Sequence, residues 1–214
     1  MFFSFEGIDG SGKSTQARLL AEALRKRGYE VVEVREPGGT TLGERIRALL
    51  LDPDTEITPR AELLSFLAAR AQVVDTVIAP ALERGVVVIA DRFTDSSVAY
   101  QGGGRGMGGA GLSVSELNAF ATGGVRTART YLVDLDPVLA VARRGARRTS
   151  DRMETGGDAF YDRVRQAYLD LSRRDPGRVV VLDGTQAVEA LHAVIVEDAL
   201  RVLSQTKGAP SLIE

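Results

Sequence analysis

Gly7-Ile8-Asp9-Gly10-Ser11-Gly12-Lys13-Ser14 fits the pattern G-x-x-x-x-G-K-[ST], and its surroundings decide how it is read. The apolar run Phe2-Phe3-Ser4-Phe5 stands before it, and a helix-period stretch from Thr15 to Arg27 follows. A strand that feeds such a loop into a helix N-terminus aims free backbone N–H groups at phosphate oxygens, and the helix dipole adds to the attraction. Gly7, Gly10 and Gly12 let the backbone fold back on itself. In that setting Lys13 reaches the outer phosphates and the Ser14 hydroxyl sits on Mg²⁺. The stretch from Gly7 through Ser11 to Thr15 is therefore the expected cradle of a nucleoside triphosphate.

Outward from the loop, short apolar runs alternate with longer stretches of helical period. Residues 2–6, 30–34, 86–91, 130–134 and 178–183 read as strands, each rich in β-branched or aromatic residues. Helices are predicted near 14–27, 42–51, 60–84, 113–121, 137–146, 158–173 and 186–204. This alternation specifies an α/β fold of three layers, a five-stranded parallel sheet flanked by helices. Ligands in such folds sit beyond the carboxyl ends of the strands, where Glu6, Arg35, Asp91, Asp134 and Asp183 fall. Two segments break the pattern: the glycine-rich 101–111, and 143–157, which carries Arg143, Arg144, Arg147, Arg148 and Arg152. The second is expected to be a short lid, and the aperiodic tail from about 205 to 214 to be loosely held, within one domain spanning 1–214.

A chain of 214 residues, 44% apolar and 26% charged, suits one domain with a substantial core. A formal charge of −2 gives no bulk electrostatic case for nucleic acid or membrane partners. Cysteine is absent, so disulfides and thiolate metal sites are excluded and a reducing compartment fits. The N-terminus has no basic flank, and its apolar run stops at Glu6. No apolar stretch approaches the roughly 20 residues that span a bilayer, so the expected location is cytoplasmic. Lysine occurs only at 13, 26 and 207, so arginine abundance by itself carries no functional meaning.

The second informative stretch is Val86-Val87-Val88-Ile89-Ala90-Asp91-Arg92-Phe93. An apolar strand ending in an acid partners a phosphate loop because the carboxylate can hold Mg²⁺ or its water. Arg92 next to it points to a second anion, since a guanidinium grips phosphate bidentately. The arginines of 143–152 supply positive charge for a migrating phosphoryl group, with one reaching that group and another lying against the nucleotide base. Arg35-Glu36-Pro37-Gly38-Gly39-Thr40, after the second strand, reads as a site loop. Phe66 and Arg70 lie four apart on one helix face, a ring and a guanidinium placed to meet a flat base and its carbonyl edge. His192, the lone histidine, sits far from every motif and reads as structural.

Together these stretches resemble the thymidylate kinase family. The resemblance rests on Phe5 to Ser14, Arg35 to Thr40, Phe66 with Arg70, Asp91-Arg92-Phe93 continuing to Ser96-Ser97-Val98-Ala99-Tyr100-Gln101-Gly102, and Asp151-Arg152-Met153-Glu154. It implies a P-loop NTPase fold and Mg²⁺-dependent transfer of a phosphoryl group from ATP to thymidine monophosphate (dTMP), in a homodimer. By resemblance, Arg92 binds the acceptor phosphate, Phe66 stacks on thymine and Arg70 meets its carbonyl. Tyr100 fills the space of a 2′-hydroxyl, which would reject ribonucleotides by clash. Gln101 and Ser97 lie near the base edge, and Arg35, Glu36 and Pro37 complete the acceptor site. Asp9 lies near the 3′-hydroxyl and, with Ser14 and Asp91, the metal. Positions 8–11 hold no basic residue, so the chain resembles the arrangement in which the lid supplies catalytic charge. Lys13, Arg92, Arg147 and Arg152 are then the catalytic set, with Arg143 toward ATP. Other readings are a different P-loop nucleoside or nucleotide kinase, or a P-loop ATPase switch; the guanine-specifying Asn-Lys-x-Asp of a GTPase is missing.

Overall fold

The computed structural model describes residues 1–107, 113–144 and 157–206. Five strands, β1 Phe2–Glu6, β2 Val31–Arg35, β3 Val87–Asp91, β4 Arg129–Asp134 and β5 Val179–Asp183, form one sheet in the order β2-β3-β1-β4-β5. Every pairing is parallel; Phe5 stands opposite Asp91 on one side and Tyr131 on the other. A parallel sheet needs cover on both faces, and the central strand β1 is buried along its whole length. Strand alternation splits it: Phe3 and Phe5 face one layer, while Phe2 faces another.

The first layer is α1 (Lys13–Arg25) with α9 (Val188–Thr206), whose Leu20, Leu24, Leu191 and Ile195 close over Phe3, Phe5 and Tyr131. The opposite layer holds α3 (Pro59–Val73), α4 (Ala79–Glu83), α5 (Thr94–Ser97) and α8 (Asp158–Arg174), while α2 (Thr41–Leu51) and α6 (Val114–Ala121) pack on α3. The short α7 (Pro137–Arg144) follows β4. Chain order puts β3 and β4 on either side of β1, so the crossovers on the two sides of β1 diverge at its carboxyl end. That switch point opens a crevice where the phosphate loop emerges.

Four expectations change. The helix predicted over 60–84 carries a π-helical turn at Val74–Ile78, just before Pro80, whose ring cannot continue a regular ladder. The run Pro59–Glu83 is also long and apolar enough, by length and composition alone, to cross a membrane, which the sequence reading had excluded. It is a core helix here, with Glu62 and Arg70 buried in ion pairs. Third, the glycine-rich segment, read as a break in the pattern, begins as helix: α5 runs on as a π-helical stretch Val98–Gly104. A Cβ at Gly103 would stand 2.5 Å from Ala167 Cβ, and one at Gly104 would stand 2.5 Å from the Phe160 ring. Glycine is there to let this segment lie against α8. Residues 205 and 206, read as tail, belong to α9; the lid arginines Arg147 and Arg152 lie outside the described residues.

Candidate active site

The loop between β1 and α1 is built on three left-handed glycines, Gly7 (φ 134°), Gly10 (φ 89°) and Gly12 (φ 101°). A Cβ at Gly7 would meet the Val133 carbonyl oxygen at 2.5 Å, so only glycine lets the loop leave the sheet there. Helix α1 starts at Lys13 without a side-chain cap, which leaves its first N–H groups for a ligand. Ser14 and Thr15 are exposed at that end, and Lys13 lies folded in, its Nζ 3.0 Å from Asp9 Oδ1.

Asp9 joins this loop to a second centre, because the same Oδ1 accepts from Arg92 Nη2 at 3.0 Å. Burial favours protonated Asp9, but the charges and hydrogen bonds of Lys13 and Arg92 prevail and hold it well below the usual carboxylate range. Arg92 also donates to Tyr100 OH (3.1 Å), Ser96 Oγ (3.1 Å) and Tyr168 OH (3.3 Å), and its guanidinium stands 4.9 Å from the Tyr100 ring centroid. Its backbone is left-handed (φ 74°), unusual for a residue with a side chain. The next N–H, that of Phe93, donates to Glu6 Oε1 at 2.7 Å, and Glu6 Oε2 accepts from Ser96 Oγ (2.5 Å) and Tyr168 OH (2.8 Å). Burial, reinforced by Asp95, lifts the Glu6 pKa to about 7 against the opposing pull of Arg92 and these donors.

Beside Arg92 lies an open cleft with about 590 Å³ of empty space, lined by Asp9, Glu36, Pro37, Arg47, Leu51, Phe66, Arg92, Ser96, Ser97, Tyr100 and Gln101. It brings together eight of the residues expected at an acceptor site and leaves two out. Arg35 points away, pairing with Glu44 at 3.3 Å and lining a neighbouring hollow. Arg70, 1% exposed, stands behind the wall. Its Nε donates to Glu36 Oε2 (2.7 Å), Nη1 to Ser97 Oγ (2.9 Å) and to Asn118 Oδ1, and Nη2 to the Phe93 carbonyl (3.0 Å) with Glu36 Oε2 at 2.6 Å. Four hydrogen bonds and the ion pair thus engage the guanidinium inside the protein, and Arg70 meets the cleft through the Ser97 hydroxyl. Glu36 Oε1 is buried with no hydrogen-bond partner among the described residues.

The neighbouring hollow contains Ser14 and Asp91 together. Asp91 Oδ1 is buried and has no hydrogen-bond partner among the described residues, an acceptor set beside the Ser14 hydroxyl. Among the described residues no three acidic or imidazole side chains converge. Two protein oxygens with phosphate and water completing an octahedron is the pattern that suits Mg²⁺, so the donor set fits that ion. Arg143, at the start of the arginine group, donates to the Gly184 carbonyl at 2.7 Å near the ends of β4 and β5.

Several contributors were not read from the sequence. Arg47 and Leu51, four apart on α2, share a face and were detectable by that spacing. Glu6 and Ser96 stood inside sequence motifs but were given no role, and Tyr168 and Asn118 carried no local signal, since their partners lie far along the chain.

A phosphate loop at the switch point of a parallel sheet, sharing one aspartate with an arginine-floored, aromatic-walled cleft, defines a P-loop kinase that phosphorylates an already anionic small molecule. The family model for thymidylate kinase matches residues 5–195. Thymidylate kinase from Kosmotoga olearia is 49% identical over 205 residues, covering 96% of this chain and 98% of the relative. That from Pseudomonas putida is 48% identical over 211 residues, covering 97% and 100%. Among solved structures, thymidylate kinase from Ehrlichia chaffeensis superposes with a TM-score of 0.77 at 34% identity, covering 93% and 98%. The chain belongs to the thymidylate kinase family.

Proposed function

We propose that the protein transfers the γ-phosphoryl group of ATP to dTMP, giving ADP and dTDP, as a cytoplasmic enzyme of dTTP synthesis. The observation that carries this reading is the shared contact of Asp9 with Lys13 and Arg92. It sets a donor-phosphate cation and an acceptor-phosphate cation on either side of one carboxylate. ATP phosphates occupy the loop from Gly7 to Thr15, and the dTMP phosphate displaces Arg92 contacts in the cleft. Phe66 covers the thymine ring, Tyr100 closes the 2′ side of the sugar, and Pro37 and Glu36 wall the sugar edge.

An acceptor phosphate oxygen attacks the γ-phosphorus in line; the new O–P bond forms as the bond to the β,γ-bridging oxygen breaks, and that electron pair leaves on ADP. The attacking phosphate is already ionised at neutral pH, so no general base is needed. Positioning and preorganised charge supply the acceleration. Lys13 and Arg92 hold the two phosphates, and Arg147 and Arg152 supply the closing charge, with Arg143 toward ATP. Ser14, Asp91 and Asp9 would hold Mg²⁺, which when bound neutralises phosphate charge. One domain with a short lid over 143–157 suffices for this chemistry.

Helices α2, α3 and α6 pack together and leave Leu49, Leu64 and Phe120 exposed, 89% in the case of Phe120. That apolar surface supports a homodimer built on the helices flanking the cleft. Net charge gives no support for a nucleic acid partner. A coupled ADP-release assay over thymidine, dTMP and the other monophosphates tests the reading. Release is expected with dTMP; activity on thymidine with none on dTMP would refute it. Light scattering at two protein concentrations tests the dimer.

A further inference from the structure

Two groups that reach the base end of the cleft, Ser97 and Gln101, are each tied from behind to a buried charge, and the two charges are opposite. Gln101 is 1% exposed, and its Nε2 donates to Glu62 Oε1 at 2.9 Å. Glu62, also 1% exposed, is held by Arg105, whose Nε and Nη2 reach its two oxygens at 3.3 and 3.2 Å. The Arg105 guanidinium is fixed in turn 4.8 Å from the Phe160 ring centroid. An ionised carboxylate accepts and cannot donate, so the amide nitrogen must face Glu62 and the amide oxygen must face the other way. Among the described residues Gln101 Oε1 takes no hydrogen bond.

Ser97 shows the opposite polarity. Arg70 Nη1 donates to Ser97 Oγ at 2.9 Å, and a guanidinium cannot accept. The hydroxyl hydrogen of Ser97 is thereby left to donate elsewhere, and no acceptor takes it among the described residues. The wall of the cleft therefore offers a donor and an acceptor whose polarity is imposed by buried Arg70 and buried Glu62.

We infer that Glu62 is a specificity-determining positioning residue: by locking the Gln101 amide with its oxygen toward the cleft, it selects bases with a carbonyl beside an N–H. Resting on the dTMP reading above, the pattern matches the O4 and N3–H edge of thymine. Cytosine presents an amino group and an unprotonated N3 at the same two places, so it meets donor against donor and acceptor against acceptor. A site whose buried polar groups would be left unpaired rejects such an analogue strongly.

The test compares kcat/KM for dTMP and dCMP in the wild type and in Glu62→Gln. The carboxamide can donate to Gln101, freeing its amide to turn and present nitrogen to the cleft. Preference for dTMP over dCMP is expected to fall by about tenfold or more, carried by KM. A folded E62Q that loses activity on both substrates in equal proportion would overturn the inference, since a merely structural Glu62 has no means of moving the ratio. Should E62Q fail to fold, Glu62→Met is read the same way, because Arg105 is partly exposed and can reach water. Binding of N3-methyl-dTMP to the wild type gives a reading free of mutation: weakening of about tenfold or more is expected, and affinity equal to that of dTMP would overturn the inference. A wild type inactive on dTMP would instead refute the functional reading itself.

Discussion

Arg70→Met is the substitution whose cost follows most directly from the coordinates. The methionine replaces the apolar stem and removes five donors at once. Left behind are the Glu36 carboxylate, whose Oε1 already has no hydrogen-bond partner among the described residues, together with Asn118 Oδ1, the Phe93 carbonyl and the Ser97 hydroxyl. Removing one partner of a buried ion pair costs about 3–5 kcal/mol. For a chain of this size that corresponds to a melting-point drop of roughly 6–20 °C. The cost depends on pH. Burial already raises the Glu36 pKa against the charge of Arg70, and without Arg70 it rises further. A folded-state pKa above the unfolded value means that this group favours folding at low pH and that the benefit is lost as pH rises. Protonated Glu36 therefore limits the damage at pH 5, and the gap between wild type and R70M widens towards pH 8. Urea unfolding at both values measures it, and the double variant E36Q/R70M is expected to recover part of the loss at pH 8. A loss under about 1 kcal/mol at pH 8, or a gap that narrows with rising pH, would refute the reasoning.

Three further outcomes are expected. Lys13→Met removes a cation aimed at the donor phosphates, so kcat falls by about 10² or more while calorimetry still detects dTMP binding. In Glu6 the folded-state pKa of about 7 exceeds the ordinary 4.5, so its contribution to stability is full below 4.5 and is lost as pH rises through about 7. Glu6→Gln is expected to flatten that dependence, and unchanged slopes in denaturation at pH 5 and pH 8 would count against it. Gly104→Ala drives a methyl group to 2.5 Å from the buried Phe160 ring and is expected to cost about 1–3 kcal/mol, read by thermal melting.

What was legible in the chain was whatever a local pattern carries. Strand β1 matched at both ends because its apolar run stops at Glu6 and the glycines, while β3, β4 and β5 differed by one residue at their starts and β2 by one at both ends. Lys13, Asp9 and Arg92 were found from motif chemistry, although only the sheet order brings position 92 to position 9. The amide–carboxylate contact of Gln101 with Glu62, 39 residues apart, had no such pattern. Neither did the contact of Glu6 with Tyr168, 162 residues apart. The glycines at 102–104 misled for a physical reason: glycine favours loops locally, but here it answers to the close approach of α8.

Asp91 and Arg92 are covalent neighbours, yet one lines the hollow beside Ser14 and the other the cleft beside Phe66. The left-handed backbone at Arg92 is what turns two consecutive side chains to opposite sides, at a conformational cost of about 1–3 kcal/mol. That single peptide unit acts as a ruler between the two compartments. Whatever the surrounding helices do, the Cα atoms that carry the acid on one side and the guanidinium on the other stay about 3.8 Å apart. Registration of donor and acceptor is thereby written into the chain's covalent geometry, where thermal motion of the surrounding elements has least effect.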